Sequence, residues 1–385
     1  KSQMIADVPL GAFLSGGVDS STIVALMQAE SSQPIKTFSI GFKEDDYDEA
    51  RHAKAVAAHI GTDHTEFYVT AADALAVIPR LPTIYDEPFG DCSSIPTHLV
   101  AWLARRHVTV ALSGDGGDEL FGGYNRYSWG RSIWHRIGRL PVALRRLMGR
   151  GLTLLSPEQW DQVGRMWRAA LPPEVRMATL GDKLHKLAGI IDVTSQAELY
   201  QRLVSQHRDP GSLVIDATEK PIWADGQAMR FDRTDFSERM MFHDLVGYLA
   251  DDILTKVDRA AMAVSLETRV PMLDHRVVEF AWRLPLHMKV RDGQGKWLLR
   301  QVLDRYVPRH LMERPKMGFG VPLDAWLRGP LREWAESLID EKRIRQEGYF
   351  HPGPIRQKWH EHLSGRRSWP YWLWNVLMFQ AWNQR

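Results

Sequence analysis

The segment Phe13 to Ser21 reads FLSGGVDSS. An apolar run ends in a serine and two glycines, and a carboxylate and two more hydroxyls follow. Glycines let a backbone approach a ligand closely and take positive φ. Free amides at a helix N-terminus, with the helix dipole behind them, favour an anion there. Ser15, Ser20 and Ser21 add hydroxyl donors. Asp19 has the wrong sign for a phosphate site unless it holds magnesium, whose usual ligands are carboxylates together with substrate phosphates. The segment therefore reads as a phosphate loop. It is not the Walker loop, because no lysine follows the glycines, and it is not the G-x-G-x-x-G dinucleotide fingerprint. A bare Gly-Gly turn is most often only a turn; the full string at a strand–helix junction is far more specific.

A second glycine-rich, acidic segment runs from Leu112 to Tyr127, LSGDGGDELFGGYNRY. Alone, its Asp115, Asp118 and Glu119 read as an acidic turn. Set at the same sheet edge as the first loop, it offers a clamp on one magnesium pyrophosphate through Asp19 and Asp118.

The elements that must position these loops follow from periodicity. GAFLSGG, PIKTFSIGF, HTEFYVT and VTVALSG read as short apolar strands. Between them, DSSTIVALMQAE reads as a helix with Ile23, Leu26 and Met27 on one face. YDEARHAKAVAAHIG reads as a second, with Ala53, Val56, Ala57 and Ile60 inward and Gly61 as its stop. SSIPTHLVAWLARRH is a third, with Ser94 as its cap. Such alternation predicts an α/β fold, a parallel sheet with helices on both faces, whose ligands sit beyond the carboxyl ends of the strands. A largely helical C-terminal part follows. The expected division is an α/β core over 1–130, a helical variable region over 131–234, and a helical part over 235–385 that completes the site. The arginines of RSIWHRIGRLPVALRRLMGRG read mostly as a solvated face.

Composition narrows the class. With 385 residues, 44% hydrophobic and 25% charged, the chain is an ordinary globular protein with room for a sizeable core. A net charge of +2 and the lack of a basic stripe with interleaved aromatics argue against nucleic acid and membrane surfaces as partners. The longest aromatic-apolar run, YWLWNVLMFQAW, is too short to cross a bilayer and reads as a packing helix. The single cysteine, Cys92, excludes an internal disulfide and a multi-thiolate metal site, and the expected compartment is a reducing cytoplasm.

LSGGVDSS resembles the pyrophosphate loop of the ATP pyrophosphatases, adenine nucleotide alpha hydrolase-like proteins. The second loop, together with YDEPFGDCSSIPTHL, TKVDRAAMAVSLETRVPMLDHRVVEFA and ERPKMGFGVPLDAWLRG, resembles the synthetase domain of the glutamine-hydrolysing asparagine synthetase family over essentially the whole chain. The GMP and NAD synthetases lack these later motifs. The resemblance implies ATP and Mg2+ as cofactors, with aspartate and either ammonia or glutamine as reactants. It also implies residue roles. Leu14 and Ile40 match main-chain contacts to the adenine nucleotide, and Ser113 and Gly114 match nucleotide contacts on the second loop. Ser15, Gly16, Gly17 and Ser20 match the pyrophosphate cradle, and Asp19 and Asp118 match magnesium ligands. Lys316 matches a lysine lying over the reacting phosphate. Asp115 stands where some members carry a glutamate that binds substrate ammonium or removes a proton; its shorter reach weakens that match. The family's glutaminase domain uses an N-terminal cysteine. Here residue 1 is lysine, Cys92 reads as a packing residue, and a preceding glutaminase domain or subunit is expected outside this chain, as is a homodimer. Asp251, Asp252, Asp258 and Arg259 are candidates for the acceptor-pocket wall, although helix-face ion pairing explains them about as well. Two competing readings remain: a relative that amidates or cyclises another carboxylate, as β-lactam synthetases do, and a non-enzymatic nucleotide-binding protein on a decayed fold. The latter is disfavoured because Asp19, Asp118, Ser15 and Lys316 are all present.

Overall fold

The computed structural model describes residues 1–42, 49–166, 180–207, 209–218, 235–313 and 320–384. Five parallel strands form one sheet in the order β3-β2-β1-β4-β5. They are β1 (Leu10–Phe13), β2 (Lys36–Phe42), β3 (Asp63–Val69), β4 (Val110–Leu112) and β5 (Glu267–Arg269). The chain first builds to one side of β1 and then crosses to the other. The reversal falls between β1 and β4, whose carboxyl ends therefore flank the crevice where such sheets take ligands.

Side chains alternate across the sheet as a period of two requires. Ala12, Leu14, Val110 and Leu112 face one core, with helix α1 (Val18–Ala29), helix α2 (Ala50–Ile60) and Leu299 and Leu303. Phe38, Ile40, Phe42 and Ala111 face the other, with the Ser94–Arg105 helix and the C-terminal helices, where Trp359 and Trp374 are fully buried. Both faces are thus covered by helices, as the alternation predicts. Helix α2 turns Ala53, Val56 and Ala57 inward and stops at Gly61 with φ +83°. Helix α1 departs from expectation at Leu26, which is 39% exposed while Ser21 and Thr22 are buried; the hydroxyl of Thr22 donates to the carbonyl of Val18, 2.7 Å away, and so tolerates burial. Ser94 lies inside its helix rather than at the cap, which is Ser93. β5 is not among the strands that periodicity predicts. Its three residues pair with β4 at Val110–Glu267, Ala111–Thr268 and Leu112–Arg269, a contact that local periodicity cannot encode.

The chain divides into two compact units. One comprises Lys1–Tyr124, Asp209–Glu219 and Met241–Arg385, and it contains the whole sheet. The other comprises Asn125–Arg208 and Lys220–Met240, and its described elements are helices, including Asn125–Ile137 and Val142–Thr153. Arg145 there is buried rather than solvated: Nη1 donates to the carbonyls of Ile191 at 3.2 Å and Val193 at 2.6 Å. Among the described residues no helix is long and apolar enough to cross a membrane. The C-terminal run forms the Pro370–Asn383 helix, and its Gln380 is buried with its amide donated to the carbonyl of Leu338 at 3.0 Å.

Candidate active site

β1 ends at Phe13, the amide of Leu14 still donates to the carbonyl of Phe38 at 2.9 Å, and the chain then turns. Gly16 makes that turn with φ +73°, and its α-carbon lies so near the His52–Ala53 peptide that a Cβ would meet the Ala53 nitrogen at 2.9 Å. Gly17 caps α1 with no side-chain bond, so the first-turn amides at the carboxyl end of β1 have no partner within the helix. Ser15 and Ser20 bridge the turn: their hydroxyls are 3.0 Å apart, and the Gly17 amide donates to Ser15 Oγ at 3.2 Å. The cradle residues Ser15, Gly16, Gly17 and Ser20 thus form one turn. Ile40 lies two residues beyond Phe38, the last β2 residue paired to β1, on the same carboxyl edge.

The second loop follows β4. The amide of Ser113 donates to the carbonyl of Arg269 at 2.9 Å, which holds the loop's start against β5. Its glycines bring it onto the first loop. A Cβ on Gly114 would meet the Ser20 nitrogen at 2.7 Å, and one on Gly117 would meet Asp19 Oδ1 at 2.5 Å. Only residues without a side chain permit that approach. As a result Asp19 and Asp118 converge. The ammonium of Lys296 contacts Asp19 Oδ2, and it lies 2.8 Å from Asp118 Oδ1. Lys296 is buried, and its backbone is left-handed (φ +60°) just before the Trp297–Leu303 helix. Burial disfavours its charge, but Asp19 and Asp118 more than offset this and its pKa rises. Two carboxylates that grip one ammonium are close enough to share one metal ion. Two such oxygens, completed by substrate phosphate oxygens, form a donor set suited to magnesium. Lys296 was not singled out from the sequence: a lysine opening a helix reads as a solvated residue, and its partners lie 277 and 178 positions earlier.

The remaining acidic residues separate by environment. Glu119 points inward, 1% exposed, and accepts from Tyr124 Oη at 2.8 Å. Burial, with Asp118 adding, pushes its pKa up to about 7. Desolvation also raises Asp115, with Ser113 and Lys256 opposing. A second cluster adjoins it. Lys256, buried on the Thr255–Met262 helix, lies 2.7 Å from Asp91 Oδ2. Asp91 also accepts from the amide and hydroxyl of Ser93, at 2.8 and 2.7 Å. Burial opposes ionisation of Asp91, yet Lys256 and Ser93 hold its pKa low. Asp252 has no direct ion pair with Lys256, and burial together with the charge on Asp91 pushes it up to about 6. Of the four acceptor-wall candidates, Asp252 alone joins this cluster. Asp251 and Asp258 are exposed, and Arg259 donates to the carbonyl of Tyr85. Cys92 is buried, and burial lifts its thiol to about 12, consistent with packing rather than nucleophilic chemistry. Lys316 lies outside the described residues.

A family profile for asparagine synthase matches residues 1–384. The chain belongs to the asparagine synthase family. It is 33% identical to the glutamine-hydrolysing asparagine synthetase 1 of Bacillus subtilis, over 99% of this chain and 56% of that protein. A relative from Mycobacterium bovis is 36% identical over 99% of this chain and 55% of its own length. The human glutamine-hydrolysing asparagine synthetase is 22% identical over 97% of the chain and 53% of its own. The chain therefore spans little more than half the length of these three relatives.

Proposed function

We propose that the protein is an ATP-dependent amide ligase that converts aspartate to asparagine through β-aspartyl-AMP, releasing pyrophosphate and then AMP. The observation that carries this reading is the convergence of Asp19 and Asp118, from two interlocked glycine loops at the switch point of the sheet, on one cation position. Membership of the asparagine synthase family supports it.

In this reading the α1 amides and the Ser15–Ser20 turn hold the phosphate tail, and the main chain at Leu14, Ile40, Ser113 and Gly114 borders the nucleotide. Asp19 and Asp118 hold magnesium, which when bound neutralises phosphate charge. Attack of the aspartate β-carboxylate on the α-phosphorus brings two anions together. Lys316, by its motif, supplies fixed positive charge against that repulsion. The carboxylate oxygen bonds to phosphorus as the pyrophosphate oxygen leaves. Ammonia nitrogen then attacks the acyl carbon, AMP departs, and one proton must be removed. Nitrogen comes from free ammonia, or from glutamine through a glutaminase domain or subunit beyond these residues.

The test is product identification with aspartate, ATP and magnesium, supplied with either ammonium or glutamine. Asparagine, AMP and pyrophosphate in equal amounts support the proposal. Pyrophosphate release no greater with aspartate than without any carboxylate removes aspartate as the substrate. A screen of other carboxylates would then identify the acceptor.

A further inference from the structure

Amide formation needs a group that takes a proton from the attacking nitrogen, and the motif candidate is poorly suited to the task. Asp115 is shorter than the glutamate some family members carry, so its carboxyl reaches less far from the loop after β4. The adjoining cluster is better arranged. Asp252 and Asp91 lie within hydrogen-bond reach of each other, and two carboxyls can bond only when a proton lies between them. Lys256 fixes Asp91 at 2.7 Å and also acts electrostatically on Asp115, which sets the cluster beside the loop after β4. Asp252 Oδ1 is buried and accepts no hydrogen bond among the described residues. The residue sits in a π-helical stretch, Asp244–Leu254, that runs into the Lys256 helix. Such a helix is rare and is frequently found at functional sites.

We propose that Asp252, backed by Asp91 and Lys256, is the proton acceptor of the amide-forming half-reaction. This rests on the ligase reading above. As the C–N bond forms, the carbonyl π electrons move to oxygen and one N–H proton passes to an Asp252 oxygen. The tetrahedral centre then collapses, the C–O bond to AMP breaks, and AMP leaves with that electron pair. The groups facing Asp252 are Asp91 and Cys92 from the loop before the Ser94–Arg105 helix, Tyr85, and Lys256, with Asp115 beyond. Burial and Asp91 keep Asp252 a carboxylate only above about pH 6, which suits a base working near neutrality.

The experiment separates the two half-reactions in the full-length protein with ammonium as the nitrogen source. Asp252→Asn is expected to retain aspartate-dependent ATP–pyrophosphate exchange within about threefold, while kcat for asparagine formation falls about 10²–10⁴-fold. The acid limb of the wild-type kcat profile, near pH 6, disappears in Asp252→Asn, reappears in Asp252→Glu, and moves to lower pH in Asp91→Asn. Equal loss of exchange and amide formation in Asp252→Asn, or an unchanged acid limb, overturns this inference alone. Absence of aspartate-dependent exchange in the wild type overturns the ligase reading and this inference with it.

Discussion

Two clusters in the sheet-bearing unit share a composition, two aspartates around one buried lysine, and differ in wiring. Lys296 contacts both Asp19 and Asp118. Lys256 contacts Asp91 directly and leaves Asp252 beside another carboxylate. When a cation lies between both carboxylates, each gains an opposite charge and together they form a seat for a positive ion. When it favours one of them, the other becomes a place for a proton. The same three residue types thus yield an ion clamp in one place and a titrating group in the other.

This contrast breaks most sharply at Lys296. Lys296→Met leaves two carboxylates facing each other without their cation, and stability is expected to fall by about 3–5 kcal/mol. Thermal melts should recover part of the loss when magnesium and ATP are added together, because another cation takes the seat. A melt unaffected by the substitution would show that the clamp is not held by Lys296. Next in size, Lys316→Ala is expected to lower turnover about 10²–10³-fold, the scale for losing one preorganised donor. Unchanged kcat in a folded variant would remove Lys316 from the reaction. A smaller effect follows from the glycines. Gly117→Ala drives a methyl into Asp19 and should cost about 1–3 kcal/mol, the scale of overpacking, with weaker ATP binding in calorimetry. Gly151→Ala, in a helix where a Cβ meets nothing within 4 Å, serves as the control and should be neutral or slightly stabilising.

The smallest effect sharpens the other cluster. Asp252 has a folded pKa raised above its ordinary 3.8 to about 6. Its contribution to stability is therefore fully present below pH 4 and is lost as pH rises through about 6. Wild type should lose about 1 kcal/mol relative to Asp252→Asn across that window, a figure reduced for partial solvent screening. Paired pH-dependent denaturant melts would check it, and a difference that grows with pH would reverse the assignment.

Much of this was legible in the sequence, for local reasons. Four strands announced themselves because apolar runs end in glycines or turn residues, and the two loops because glycines, hydroxyls and aspartates crowd together there. What was hidden depends on contacts far along the chain. Lys296 and Lys256 carry no local signal for burial, and their carboxylate partners lie 277 and 165 positions away. β5 is polar and three residues long, and it takes its form from the edge of β4. Asp252 could not be told from its neighbour Asp251 by spacing, because a π-helical stretch sets which of them turns inward.

The interlock of Gly114 with the Asp19–Ser20 backbone, and of Gly117 with the Asp19 side chain, has a consequence for assembly. The two loops are about a hundred positions apart in the chain, and they mesh only when β4 has docked beside β1 in register. A misordered sheet would carry either loop intact, yet it would have no grip on a nucleotide. Competence to bind thus certifies that the sheet was put together correctly, and ligand added during refolding would select the properly threaded molecules.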